Sequence, residues 1–329
     1  MLNGRLERVV ADVAERPSSL TPQGPAAESL ASLWWVMFWL AMAVFVAVMV
    51  LLALSIVRRR DLPLEADRFT GETLAGGSNW LMLGGGVILP TAVTLLLMVL
   101  MVTTGADLRA LGNPSQPLVV EVTGYKFWWD VRYPDAGVRT GNEIQIPAGR
   151  PVEFHVTSAD VIHSFWVPQL GGKIDMTPGE VNTLRLQADE PGVYRGLCTE
   201  YCGIQHAHMH FIVVATPPDE FDAWLAERVD PPEEPTEALA QEGRELFERA
   251  QCVYCHTVDG VSPDVDLGPD LTHFASRRTI GAGMLPNEPD NLAEWILDPQ
   301  AIKPGNRMPP TPLTDEEVQA LIAYLETLE

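Results

Sequence analysis

Two apolar runs constrain this chain more than any other feature, one from about Leu33 to Val57 and one from about Trp80 to Val102. Each exceeds the roughly 20 residues that an α-helix needs to cross a hydrocarbon layer. Lipid offers a backbone no hydrogen-bond partner, so each run must close its bonds internally as a helix. Trp34, Trp35 and Trp80 stand at run ends, where amphipathic rings suit the headgroup level. Pro90 is expected to bend the second span, and Gly84-Gly85-Gly86 to let a neighbouring helix approach. Arg58-Arg59-Arg60 closes the first span, which predicts a cytoplasmic connecting loop and outward-facing termini. Residues 1–30 carry no apolar signal-peptide core and read as an extended polar arm. The spans contain no Asp, Glu, Lys, Arg or His, so they can neither carry a proton nor ligate a haem within the membrane. Chemistry at that depth belongs to a partner chain, and the helices serve as a lipid-embedded anchor and docking face.

A length of 329 residues predicts two or three domains, and a net charge of −22 argues against nucleic acid as a partner. A basic protein donor would be attracted, less so in salt. All four cysteines fall in two short motifs, which leaves none for structural disulfides.

Residues 115–228 read as a β-sandwich. Leu118–Val122, Pro151–Val156 and Val181–Leu186 alternate or are β-branched, with Gly/Pro/Asp turns between them. Late in this stretch stands Cys198-Thr-Glu-Tyr-Cys-Gly-Ile-Gln-His-Ala-His-Met209, with His163 upstream in Val-Ile-His-Ser-Phe-Trp. Thiolate, thioether and imidazole together select copper, and two cysteines in one loop suggest thiolates bridging a pair of ions. A Cys198–Cys202 disulfide and a zinc site are the alternatives. Asp160 either orients the His163 ring or caps a turn. His155, His208, His210 and His273 read as structural; strand alternation turns His208 and His210 away from Met209.

Thr216-Pro217-Pro218-Asp219 is expected to cap a short helix through Trp224, and residues 229–236 form a stiff Pro/Glu linker. Residues 237–329 then carry Cys252-Val-Tyr-Cys255-His256, the c-type haem attachment motif, with thioethers at the cysteines and His256 as one axial ligand. Met308 is the expected sixth ligand and Met284 its competitor. Thr314 with Glu317 predicts a capping box on the last helix.

The copper motif, with Gly171-Gly172-Lys173-Ile174-Asp175, Pro178-Gly179 and the aromatic run Tyr125 to Trp129, resembles subunit II of haem–copper cytochrome c oxidases over roughly residues 30–225. Gly268-Pro269-Asp270-Leu271 and Asn306-Arg307-Met308-Pro309-Pro310 resemble class I cytochrome c. The resemblance implies a two-helix transmembrane hairpin at 31–105, an all-β cupredoxin sandwich and an all-α class I cytochrome c domain. It implies a dinuclear copper A held by His163, Cys198, the Glu200 carbonyl, Cys202, His206 and Met209. It also implies a magnesium ion shared with the partner at the Glu200 carboxylate, and electrons coming in near Phe127 and Trp128. The usual position of the docking tryptophan here holds Phe127. In many members a Glu near the second span assists proton uptake; Glu72 is the nearest acid here.

The implied function is to receive electrons for a terminal oxidase. They pass from haem c to copper A and on to the haem–copper centre of catalytic subunit I, where dioxygen becomes water. Tethering the donor domain supplies a high local concentration. Subunit III and an external cytochrome c or upstream respiratory complex are the other implied partners. The implied location is the bacterial inner membrane, with both redox domains on the outer face. Alternatives are the copper A subunit of a nitric oxide reductase and a membrane-anchored carrier without an oxidase partner. Quinol oxidase subunits of this type lack the copper ligands present here.

Overall fold

The structure is a computed structural model and describes residues 17–59, 78–110 and 117–329. Residues 1–16 of the arm, Arg60 and Glu72 lie outside the described residues. Among the described residues, two helices are long and apolar enough to cross a membrane, over Pro25–Val57 and Gly84–Ala106. The first, α1, runs Pro25–Arg59 and starts ahead of the apolar run. Pro25 suits a first helical position and Glu28 favours the positive end of the helix. The second span consists of α2 (Ser78–Leu83), a π-helical turn over Gly84–Ile88 and α3 (Leu89–Ala110). The π turn ends two residues before Pro90, which has no N–H to return to the turn before it. Large apolar side chains on both spans are open, among them Trp39, Phe45, Leu51 and Met101. Such a surface suits lipid or a partner helix.

The sandwich contains β1 (Leu118–Tyr125), β2 (Trp128–Tyr133), β3 (Val138–Gly141), β4 (Glu143–Pro147) and β5 (Val152–Ser158). β6 (His163–Trp166), β7 (Ile174–Met176), β8 (Asn182–Leu186), β9 (Gly192–Cys198) and β10 (His210–Thr216) follow. They form two five-stranded sheets, ordered β3-β2-β1-β5-β8 and β4-β10-β9-β6-β7. The pairs β1–β5 and β4–β10 are parallel. β5 alternates buried and half-buried residues, as a strand with one face on a core must. The core is aromatic: Phe165 stacks on Phe211 at 4.5 Å, and Trp129 meets Phe211 edge-on at 4.9 Å. Trp129 also lies 6.2 Å from the His163 ring, so the core abuts the site.

Two expectations change. The end of the arm pairs with the sandwich through Gln23 N–H to Gln169 O (2.8 Å) and Asp189 N–H to Gln23 O (2.9 Å). These are backbone bonds, which the polar composition of the arm does not encode. Thr216 does not cap the next helix, α4 (Pro218–Glu227); it ends β10, and the cap position is Pro217 without a side-chain cap. Fixed proline φ starts that helix instead.

The C-terminal domain is helical: α5 (Ala238–Arg249), α6 (Pro289–Leu297), α7 (Pro299–Ile302) and α8 (Asp315–Leu325). It adds a two-stranded hairpin of β11 (Thr279–Ile280) and β12 (Leu285–Pro286). The Thr314–Glu317 capping box is present. α5 and α8 approach closely at Gly243, where a Cβ would come within 1.9 Å of Ala320 O. Sandwich and helical domain belong to one compact unit.

Candidate metal and haem sites

The sandwich brings together two loops separated by 35 residues of sequence. His163 opens β6, Cys198 ends β9, and the loop before β10 supplies Cys202, His206 and Met209. Ligand atoms of His163, Cys198 and Cys202 all lie within 4.8 Å of one another, and all three residues are buried. His163 Nδ1 is 3.8 Å from Cys198 Sγ, and His206 Nδ1 is 3.8 Å from Cys202 Sγ. Met209 Sδ is 3.8 Å from Cys202 Sγ, and the Glu200 carbonyl is 3.3 Å from Cys198 Sγ. The two sulfurs stand 3.8 Å apart, well beyond the 2.05 Å of a disulfide. Two sulfurs bound to one ion at about 2.3 Å and a tetrahedral angle would lie about 3.8 Å apart. One imidazole at each sulfur, a thioether and a carbonyl fit a two-ion soft-metal centre. The thioether has no use in a zinc site.

The protonation pattern agrees. The hydrogen bond with Cys202 draws the Cys198 thiol pKa down, against burial and with help from His163. Cys202 is pushed up, first by Cys198 and then by burial. The pair thus gives up one proton readily and shares the other, which a metal would displace. Burial lowers the His163 pKa, but Cys198 and Asp160 outweigh it and raise the imidazole. Asp160 fills both expected roles. Its Oδ1 lies 2.9 Å from His163 Nε2 and accepts from Val161 N–H at 2.7 Å; its Oδ2 accepts from Lys126 N–H at 2.9 Å. Nδ1 of His163 is thereby turned to the sulfurs. The Glu200 carboxylate is exposed and 4.0 Å from Lys173 Nζ. His155 faces Glu153, His208 faces Gln205, and His273 bonds the chain end at Glu329.

The helical domain holds a cavity of about 540 Å³, within the size range of cofactor pockets. Cys252, Cys255, His256 and Met308 line it; Met284 is not among its described lining residues. His256 Nδ1 sits 2.8 Å from Pro269 O, which fixes the ring and leaves Nε2 as the other ligand atom. Gly268 makes room for that ring, since a Cβ there would come 2.7 Å from His256 Cε1. Burial lowers the His256 pKa and keeps the imidazole neutral, as a ligand must be. Leu271, Phe274, Leu292, Ile296 and Leu325 make the lining apolar. The residues suit a covalently held porphyrin.

Lys126, Phe127 and Trp128 line the same cavity from the sandwich side. Phe127 and Trp128 are buried, at 6% and 8% exposure, and present no free surface to an outside protein. Phe127 also packs toward the copper loop, its ring 3.1 Å from where a Cβ on Gly203 would be. Several bonds cross between the domains here. Gln205 Nε2 donates to Pro304 O (2.7 Å), His210 N–H to Ala282 O (3.2 Å), and the Thr279 and Arg278 amides to Glu143 Oε1 (2.9 and 2.7 Å). Lys303 Nζ donates to Phe127 O at 2.9 Å and Gly281 O at 2.8 Å. Sequence reasoning missed Lys303 and Glu143. One signal was available for Lys303: it is one of only three lysines among the 22 basic residues.

Comparison with known proteins gives a family for both domains. Residues 136–216 match the family described as cytochrome c oxidase subunit II, periplasmic domain, and residues 240–329 match cytochrome c. Cytochrome c oxidase subunit 2 of Alkalihalophilus pseudofirmus is 43% identical over 248 residues, 73% of this chain and 72% of that one. The same subunit of Bacillus sp. PS3 is 35% identical over 261 residues, 74% of this chain and 72% of that one. The periplasmic domain of cytochrome oxidase subunit II of Bradyrhizobium japonicum is 30% identical, with a TM-score of 0.34 over 35% of this chain and 95% of that one. With two apolar N-terminal helices, a cupredoxin-like sandwich suited to copper A and a haem-binding helical domain, the chain belongs to the cytochrome c oxidase subunit II family, the membrane-anchored partner of the catalytic subunit of a haem–copper oxidase.

Proposed function

We propose that this chain receives electrons for a terminal cytochrome c oxidase at its own haem c and hands them through copper A to catalytic subunit I, where dioxygen is reduced to water. The single observation that carries the reading is the shared wall: Lys126, Phe127 and Trp128 of the copper domain line the cavity that holds Cys252, Cys255, His256 and Met308. When bound, the copper pair and the haem supply the one-electron redox states. The residues of the chain hold, orient and shield them. His163, Cys198, the Glu200 carbonyl, Cys202, His206 and Met209 would hold the coppers; Cys252 and Cys255 would anchor the porphyrin, and His256 and Met308 would ligate its iron. Rigid strands under both copper loops keep donor positions constant, which suits a metal that changes charge but not place. Because Phe127 and Trp128 are covered, an external cytochrome c or upstream complex delivers at the helical domain rather than at the copper face. The exposed Glu200 carboxylate is the position for a magnesium ion shared with subunit I.

The domain division that goes with this reading is an arm at 1–30, the membrane hairpin at 31–105, copper domain at 115–228, linker at 229–236 and cytochrome domain at 237–329. Both redox domains lie on the outer face of the bacterial inner membrane, and subunit III is a further partner. The test uses Cys202→Ser in the purified complex. The near-infrared copper band is lost, the haem c spectrum stays, and dioxygen uptake with reduced cytochrome falls to background. An intact copper band overturns the ligand assignment. Nitric oxide consumption without dioxygen uptake in the unaltered complex overturns the oxidase reading.

A further inference from the structure

Lys303 is a buried cation without a buried anion. Its side chain is 2% exposed, and no carboxylate of the described residues lies within 4.0 Å of its nitrogen. Burial pushes its pKa down to about 7. Stripping an ammonium of water is unfavourable unless its protons find partners. The two partners here are backbone carbonyls on opposite sides of the domain boundary: Phe127 O in the sandwich at 2.9 Å, and Gly281 O in the helical domain at 2.8 Å.

Both carbonyls belong to segments that touch the redox sites. Phe127 packs toward Gly203, beside Cys202, and lines the haem cavity. Gly281 precedes Ala282, whose carbonyl accepts from the amide of His210, the neighbour of Met209. The segment of Lys303 itself is held from the copper loop by Gln205 on Pro304 O, and Gly305 lies against Ile204. Five residues on, Met308 lines the haem cavity.

We propose that Lys303 is a positioning residue that pins the haem-cavity loops of the cytochrome domain to Phe127 and the copper loop, and thereby sets the rate of electron exchange between the two domains. A lysine suits the task better than an arginine. A compact amine reaches two carbonyls with two N–H groups, charged or neutral, whereas a guanidinium would bury a larger fork that stays charged. An apolar side chain would fill the volume but leave two buried carbonyls unpaired.

The effect on electron exchange rests on the relay proposed above; the pin itself does not, so the experiment has two readouts. The full chain is studied in its oxidase complex as wild type, Lys303→Met and Lys303→Gln. Hydrogen exchange is followed at the His210 and Thr279 amides, which donate across the boundary. Lys303→Met is expected to speed exchange there about tenfold or more, as loss of charge-assisted bonds implies, while amides of the sandwich core are unaffected. Flash reduction of haem c is expected to show slower copper reduction in the same variant, with both optical spectra unchanged. Lys303→Gln, which keeps two N–H donors, recovers part of both effects. Unchanged exchange at both amides in Lys303→Met and Lys303→Gln overturns the pin. Faster exchange with an unchanged transfer rate overturns the link to electron exchange. No haem-to-copper transfer in the wild type overturns the relay while the exchange data still decide the pin.

Discussion

At the residue scale, the two sites differ in what holds each donor in place. His163 and His256 are each fixed by an oxygen on the far side of the ring, Asp160 Oδ1 at 2.9 Å from Nε2 and Pro269 O at 2.8 Å from Nδ1. Met308 is held by its backbone instead: its N–H donates to Asn306 Oδ1 at 2.7 Å and its carbonyl accepts from Gln300 at 2.8 Å. Its thioether is thus presented by a braced loop. Met308→Ala is expected to open the sixth position, so that reduced haem c binds carbon monoxide; Met284→Ala leaves it closed. Carbon monoxide binding in the second variant and not the first would exchange the two assignments. Lys303 gives a pH prediction whose sign follows from linkage. Its pKa is about 7 when docked and about 10.4 when free in water. Docking therefore releases a proton between these values, and the docked state gains from rising pH by at most about tenfold per unit. Below pH 7 the full penalty applies. The titratable groups near it across the boundary are Cys202, which raises its pKa, and His210, which burial holds down at about 4 and so keeps neutral over this range. Amide protection at Thr279 should rise from pH 6 to pH 9 in the wild type and stay level in Lys303→Met.

At the element scale, the packing of α5 on α8 decides whether the helical domain can close around a haem. Gly243 lets the two backbones touch, and a Cβ would meet Ala320 O at 1.9 Å and Tyr324 Cβ at 2.8 Å. Gly→Ala in a helix normally gains about 1 kcal/mol of propensity. Here a backbone carbonyl blocks the methyl group, and overpacking costs about 1–3 kcal/mol, so the steric effect wins. Gly243→Ala should lower the melting temperature read from the haem c band by several degrees; a neutral or raised midpoint would mean the helices sit farther apart. Such a contact is hidden in a sequence, where Gly243 merely reads as a weak helix former. Most elements were legible because they are local. The spans follow from charge-free length, the sandwich from alternation, the last helix from Thr314 and Glu317, and the metal loop from Cys198 to Met209 within a single turn of chain. What was not legible depends on distance along the chain. Lys303 meets Phe127 across 176 positions and Glu143 meets Thr279 across 136, and neither segment carries a period or cap that announces the other. Thr216 failed as a cap for a related reason: the strand pairing of β10 with β4, a tertiary demand, claims that residue first.

At the scale of the whole molecule, an acidic chain must fold one acidic domain onto another. With a net charge of −22, general repulsion would keep the sandwich and the cytochrome domain apart unless local charge opposed it. The sandwich supplies that charge at one edge. Arg139 is mostly buried and is held by Asp130, with Nε to Oδ1 at 2.6 Å; its terminal nitrogens reach Asp264 and Asp266 of the cytochrome domain. Arg132 joins the same cluster through Asp130 and Asp266, each at 2.9 Å. Asp130 is 2% exposed and anchors both arginines, whereas Asp264 and Asp266 are 71% and 58% exposed. The anchored end is thus shielded from salt and the reaching end is not. Single exposed pairs contribute about 0–1 kcal/mol, so the network as a whole should loosen only a few-fold when the Debye length falls from about 30 Å at 0.01 M to about 3 Å at 1 M. Exchange at the Thr279 amide should report this loosening, and Arg139→Gln combined with Arg132→Gln should remove most of the salt response, because only the two substitutions together disconnect both Asp264 and Asp266. The carbonyl bonds of Lys303, buried and uncharged at their acceptor ends, should keep the His210 amide protected at either salt concentration. A salt response that survives the double substitution, or that is as large at His210 as at Thr279, would place the electrostatic control of docking elsewhere on the two surfaces.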